Sequence, residues 1–153
     1  KGISENYGQA DNFYSFLKNE IIPLAEKKYA GYTISRSFIG HSLGGLFAAY
    51  LFISADTLFD NVYALSPSLW IDNYHILDYE SEQQSRLKSL KKNIWISCGG
   101  SETFNRIKAG VERIKDTLAN RNYTGINYTI KIYDGHSHNS SVGPTFADIF
   151  KNF

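Results

Sequence analysis

Three kinds of side chain in this 153-residue chain are able to do covalent chemistry together. A serine stands between glycines in Gly40-His41-Ser42-Leu43-Gly44-Gly45. Two histidines, His136 and His138, stand near the end, and two carboxylates, Asp72 and Glu102, follow apolar runs. A serine hydroxyl is a weak nucleophile until a base takes its proton. Histidine serves as that base near neutral pH, and a carboxylate fixes its tautomer and stabilises the imidazolium that forms. The chemistry this set fits is acyl transfer through a covalent serine intermediate. Gly-x-Ser-x-Gly between a strand and a helix makes a sharp, strained turn that lifts the serine oxygen above the sheet. Gly40 and Gly44, with no Cβ, are expected to let strand and helix close on each other there. The free N–H groups of the helix that follows then face developing negative charge.

The elements that must position these groups follow from periodicity. Phe13, Phe16, Leu17, Ile21 and Leu24 recur at helical spacing and predict a helix over 11–29, with Asp11 as N-cap and a break after Ile22 at Pro23. Thr33–Ile39 reads as the strand feeding the serine turn, and Leu43–Ser54 as a helix apolar nearly all round, hence buried on a sheet. Further strands are expected at 59–65, 93–98 and 127–133, with helices at 83–92, 105–120 and 144–153. The stretch 72–82, polar and aromatic, reads as irregular. Strands alternating with helices imply βαβ units and a parallel sheet. Ligand sites in such sheets lie at the carboxyl ends of the strands. Ser42, the Ser66–Trp70 loop, Glu102 and the His136/His138 loop each follow a strand.

Several blocks carry a resemblance: Ile21-Ile22-Pro23 with Lys28-Tyr29, Ile39 to Ala48, Ser66-Pro67-Ser68-Leu69-Trp70, and Gly135-His136-Ser137-His138-Asn139-Ser140. In these the chain resembles the α/β-hydrolase "putative esterase" family. That family includes siderophore (enterobactin-type) esterases, S-formylglutathione hydrolases, and feruloyl and acetylxylan esterases. The Ser-Pro-Ser-Leu-Trp block looks most like the siderophore-esterase branch. The resemblance implies an α/β fold, a three-layer parallel sheet with helices on both faces. It also implies a serine ester hydrolase needing no metal or organic cofactor. Ser42 is then the nucleophile, His138 the base by the Gly-x-x-His-x-Ser pattern, and Glu102 the acid just past its strand. His136 stands as the rival base and Asp72 as the rival acid. The backbone N–H of Leu43 supplies one oxyanion donor, and His41 and Trp70 line the substrate pocket, with Tyr74 and Tyr79 nearby.

A second oxyanion donor belongs on a loop after an earlier strand, yet only the strand leading into Ser42 precedes it. The expectation is therefore one partial α/β-hydrolase domain over 1–153, resembling the C-terminal part of a larger one, completed by upstream residues or stabilised by association of copies through an exposed sheet edge. A catalytically silent binding module that keeps the serine turn as architecture is the alternative. Composition excludes other classes. The net charge of +1 leaves no footprint for nucleic acid, and the longest apolar run, Leu46–Ile53, is too short to span a membrane. The single Cys98 rules out an intramolecular disulfide or a cysteine metal site, and reads as a small buried group.

Overall fold

The computed structural model describes residues 8–29, 35–54, 56–103 and 106–151. It divides into two compact units, Lys1–Arg36 and Ser37–Phe153. In the first unit, α1 (Ala10–Phe16) runs through a π-helical turn, Leu17–Ile21, into α2 (Ile22–Tyr29). The expected break at Pro23 is absorbed by that wider turn, in which the Ile22 N–H reaches back to the Leu17 carbonyl. The N-cap is Gln9 and not Asp11, which lies inside the first turn where its negative charge suits the helix end.

The second unit is built on a four-stranded, all-parallel sheet in the order β1 (Ser37–His41), β2 (Asn61–Leu65), β3 (Lys92–Gly99), β4 (Ile126–Tyr133). Of the strand expected from Thr33, the portion before 35 lies outside the described residues, as do Asn105 and the last two residues of the chain. The helices are α3 (Leu43–Ile53), α4 (His75–Glu82), α5 (Gln84–Leu87), α6 (Ile107–Arg121) and α7 (Val142–Lys151). Among them none is long and apolar enough to cross a membrane.

Alternate residues of the strands serve the two faces. Phe38, Val62, Ala64, Ile94, Ile96 and Cys98 share one face by register. There Phe38 meets Phe47 of α3 and Phe59 edge-on at 5.3 and 5.5 Å. Ala48, Ala49, Leu51, Phe52 and Ile53 of α3 are fully buried, which is why that helix is apolar nearly all round. Right-handed crossovers put α3 and α6 on this same face. The opposite face takes α7, whose Thr145 hydroxyl lies 3.1 Å from that of Ser97 and whose Asp148 pairs with Lys131 and accepts from the Tyr133 hydroxyl at 2.8 Å. The three-layer arrangement that the resemblance implied is thus present.

On the α7 face, at the amino ends of the strands, a polar row crosses the sheet. Asn127 donates to Asn93 at 3.0 Å, Asn93 to Asn61 at 2.8 Å and Asn61 to the Ser37 hydroxyl at 3.2 Å. These four residues are register partners.

The stretch 72–82 departs from expectation. Asp72, Asn73 and Tyr74 form a left-handed turn with φ of 50°, 53° and 65°, and α4 follows. The helix is anchored by Glu80, wholly buried, whose carboxylate takes a two-pronged bond from Arg121 at 2.9–3.1 Å and another from the Tyr123 hydroxyl. A buried carboxylate reads as a surface residue in sequence, and that hid the helical period. The helix expected over 83–92 shrinks to α5, because Lys92 is drawn into β3 and buries its ammonium against the Asp56 carbonyl.

Candidate active site

The turn from β1 to α3 holds Ser42 at φ 59° and ψ −114°. A non-glycine residue in such a conformation costs about 1–3 kcal/mol and persists only where its surroundings fix it. Here they do. The Ser42 N–H donates to the Leu65 carbonyl at 3.0 Å, and its own carbonyl accepts from Leu46 at 3.0 Å and Ser68 at 3.1 Å. A Cβ on Gly40 would overlap the Gly44 carbonyl, so this position admits glycine alone. Gly44 does not play the matching part, since a Cβ there would meet open space. The second close approach is at Gly45, where a Cβ would lie 2.8 Å from the Leu65 carbonyl oxygen and 2.9 Å from the Pro67 Cα. Leu43 opens α3 with its side chain 63% exposed. First-turn N–H groups have no partner within a helix, so its N–H is open to an incoming oxygen.

Glu102 sits in the turn after β3 and is only 3% exposed. One carboxylate oxygen, Oε1, accepts the Gly99 N–H at 2.6 Å and the Ser66 hydroxyl at 2.7 Å; the other, Oε2, is 2.6 Å from His138 Nδ1. An ionised carboxylate only accepts, so the proton of this last bond belongs on Nδ1 and leaves Nε2 with a free lone pair. The loop that carries His138 is stitched to the end of β3. Ser101 donates to the His136 carbonyl at 3.0 Å, Gly100 to the Tyr133 carbonyl at 2.8 Å, and a Cβ on Gly99 would overlap the His136 carbonyl.

His136 takes no part in this pairing. Its Nδ1 lies 2.9 Å from the Ser140 carbonyl and its ring meets Tyr133 edge-on. Asp72 is exposed on its left-handed turn. His41, at the end of β1, lies against His138: its Nε2 is 3.0 Å from the His138 carbonyl, with the two rings 4.5 Å apart. Trp70 is 37% exposed two residues beyond Ser68, whereas Tyr74 is buried beneath the Arg113 guanidinium at 4.0 Å and Tyr79 stacks on Tyr50. Cys98 is fully buried, and burial together with the charge of Glu102 pushes its thiol up to about 12, so it is no nucleophile at neutral pH.

Ser42 Oγ itself turns toward Ser68 Oγ at 3.5 Å and, among the described residues, makes no hydrogen bond to His138. Beneath the site lies a buried group of hydroxyls with no counterpart in the sequence reading. Ser66 Oγ is 3.2 Å from Ser141 Oγ, Ser141 donates to the His138 carbonyl at 3.3 Å, and Thr145 donates to the Ser141 carbonyl at 2.8 Å. Serines in loops are too common for spacing to reveal such a cluster. The one signal was the position of Ser66 directly after a strand.

The sequence profile of the family described as "Putative esterase" matches residues 3–153. The ferri-bacillibactin esterase BesA of Bacillus subtilis is 26% identical over 136 residues, covering 86% of this chain and 47% of that protein. The siderophore triacetylfusarinine C esterase of Aspergillus fumigatus is 35% identical over 72 residues, covering 46% of this chain and 25% of that protein. Among solved structures, a BES protein from Bacillus cereus superposes with a TM-score of 0.85 at 23% identity, covering 97% of this chain and 58% of that one. The siderophore hydrolase EstB from Aspergillus nidulans does so with 0.84 at 19% identity, covering 99% and 60%. The chain thus matches a quarter to about half of the length of these curated relatives.

Proposed function

The chain belongs to the "Putative esterase" family, and from that premise we infer that Ser42, His138 and Glu102 act together as a serine carboxylic ester hydrolase of the siderophore-esterase kind. The observation that carries this reading is the 2.6 Å bond between Glu102 and His138 Nδ1, which leaves the Nε2 lone pair free in a ring 4.5 Å from that of His41, the residue before Ser42. When an ester enters, Ser42 Oγ turns from Ser68 to His138 Nε2 and gives up its proton as it attacks the carbonyl carbon. Hydrogen bonds of this type tighten in the substrate complex. The Leu43 N–H receives the developing oxyanion. His138 passes the proton to the departing alcohol, leaving the acyl group on Ser42, and water activated by the same imidazole then releases the acid. A small-molecule ester with an apolar or aryl part meets Trp70 and Leu43 at the mouth of the site. A second oxyanion donor from outside these strands completes the site in the whole protein. One such donor is worth roughly 10²–10³ in rate.

A catalytically silent module is the second reading, favoured by the Ser42–Ser68 contact in place of one to His138. Labelling with a fluorophosphonate, beside hydrolysis of p-nitrophenyl acetate and butyrate, separates the two. Covalent labelling and turnover that both vanish in Ser42→Ala and His138→Ala support the hydrolase. A folded protein that neither labels nor turns over supports the silent module.

A further inference from the structure

Glu102 owes its orientation to one hydroxyl. Three donors converge on its two oxygens. One is a backbone N–H that any residue at position 99 would supply, and one is His138 itself. The third is the side chain of Ser66, at 2.7 Å. Ser66 is 1% exposed, closed off from solvent. It is also held at φ 42°, a conformation that favours glycine, with its N–H donating to the Ser97 carbonyl at 2.6 Å. A residue kept at strain where glycine would fit better is kept for its side chain. A hydroxyl has a single proton, and that of Ser66 goes to Glu102 Oε1. Its oxygen lies 3.2 Å from Ser141 Oγ, whose own proton goes to the His138 carbonyl. That Ser141 bond is 3.3 Å long and sets Ser141 between the Ser66 hydroxyl and the backbone of His138.

We propose that Ser66 is a positioning residue of the hydrolytic site: by donating to Glu102 it holds the carboxylate aimed at His138 Nδ1. This rests on the hydrolase reading above. Ser66 does not contact substrate, so its removal acts on kcat and leaves KM alone. The loss of one hydrogen bond to a charged group corresponds to roughly 10- to 100-fold in rate.

The test compares Ser66→Ala with Ser66→Gly in p-nitrophenyl butyrate hydrolysis. Glycine suits the positive φ and so folds more stably than alanine here, while both variants lack the hydroxyl. The proposal expects the same kcat loss in both, KM unchanged, and no further loss when Ser66→Ala is added to Glu102→Ala. Recovery of kcat in Ser66→Gly, or a full Ser66→Ala loss persisting without the Glu102 carboxylate, overturns it. A wild-type protein without Ser42-dependent turnover would sink the hydrolase reading separately. In that event the far-downfield proton resonance of the His138–Glu102 bond decides: its disappearance in Ser66→Gly upholds the positioning role, and its persistence refutes it.

Discussion

Replacing Glu102 by glutamine changes one oxygen for an amide nitrogen and leaves the shape of the side chain intact. Its consequence follows from which donors surround it. Oε1 faces the Gly99 N–H at 2.6 Å and the Ser66 hydroxyl at 2.7 Å, and Oε2 faces His138 Nδ1 at 2.6 Å. A glutamine has one accepting oxygen. Turned toward His138, it would aim its NH2 at two donors, leaving the buried Gly99 N–H without a partner at a cost of about 1–3 kcal/mol. The stable arrangement therefore keeps the oxygen toward Gly99 and Ser66 and presents the NH2 to His138. Nδ1 must then accept, and the ring carries its proton on Nε2, the atom that takes the Ser42 proton in the proposed hydrolase. The inverted tautomer is expected to lower kcat by roughly 10⁴, the size seen when the triad aspartate of a serine protease is changed to asparagine, or about 5 kcal/mol of barrier. The assay is p-nitrophenyl butyrate turnover at neutral pH, with thermal unfolding to confirm that the variant is folded. A folded Glu102→Gln protein within tenfold of the parent rate would refute the argument. Asp72→Asn and His136→Ala, run beside it, should stay close to the parent. A loss of the Glu102 size in either would move the role to that residue.

Gly40→Ala should cost about 3 kcal/mol or more, since its Cβ overlaps the Gly44 backbone, whereas Gly44→Ala enters open space and should change stability by no more than about 1 kcal/mol; denaturant midpoints compare the pair. Arg121→Ala leaves the Glu80 carboxylate buried with the Tyr123 hydroxyl alone, which should cost about 3–5 kcal/mol, and adding Glu80→Gln should restore part of it. A loss under about 1 kcal/mol in urea unfolding would show the pair to be dispensable. Burial, then the bond to Asp148, raises the Tyr133 phenol to about 12. A raised pKa means that the folded state holds the proton longer. The contribution is complete below about pH 10, where the unfolded phenol titrates, and is lost as pH climbs toward 12. Tyr133→Phe should flatten the fall of melting temperature over that window, and an unchanged slope would exclude the phenol as its source.

The architecture was legible because apolar strands and helices alternate strictly, and Ser42 was legible because glycines bracket it between two such elements. What spacing left open was which histidine and which acid meet. His136 and His138 lie two residues apart in one loop, and their separation comes from the stitching of that loop to Gly99, Gly100 and Ser101, contacts between residues more than thirty positions apart. Asp72 was set apart by a left-handed turn that Asp and Asn favour but that extends to Tyr74, against the preference of a bulky side chain. α4 escaped notice because its inward anchor, Glu80, is charged. The crowded position proved to be Gly45 where symmetry of the motif had pointed to Gly44, since close approach depends on the direction of each Cα–Cβ bond.

The polar row Ser37–Asn61–Asn93–Asn127 bears on a degeneracy that hydrophobic patterning cannot remove. A one-residue slip between parallel strands turns every side chain to the wrong face, but a two-residue slip restores the faces and so keeps much of the burial. Sliding β3 by two against β2 would set Asn93 beside Tyr63, or Trp95 beside Asn61, and would break the head-to-tail chain of amides. The row thus works as a vernier that selects one alignment among those the apolar core accepts. Such a slip would displace the strand ends by about 7 Å, more than twice the length of the Glu102–His138 bond. Four amides and hydroxyls at the bottom of the sheet therefore set the height at which Ser42, Glu102 and His138 emerge at its top.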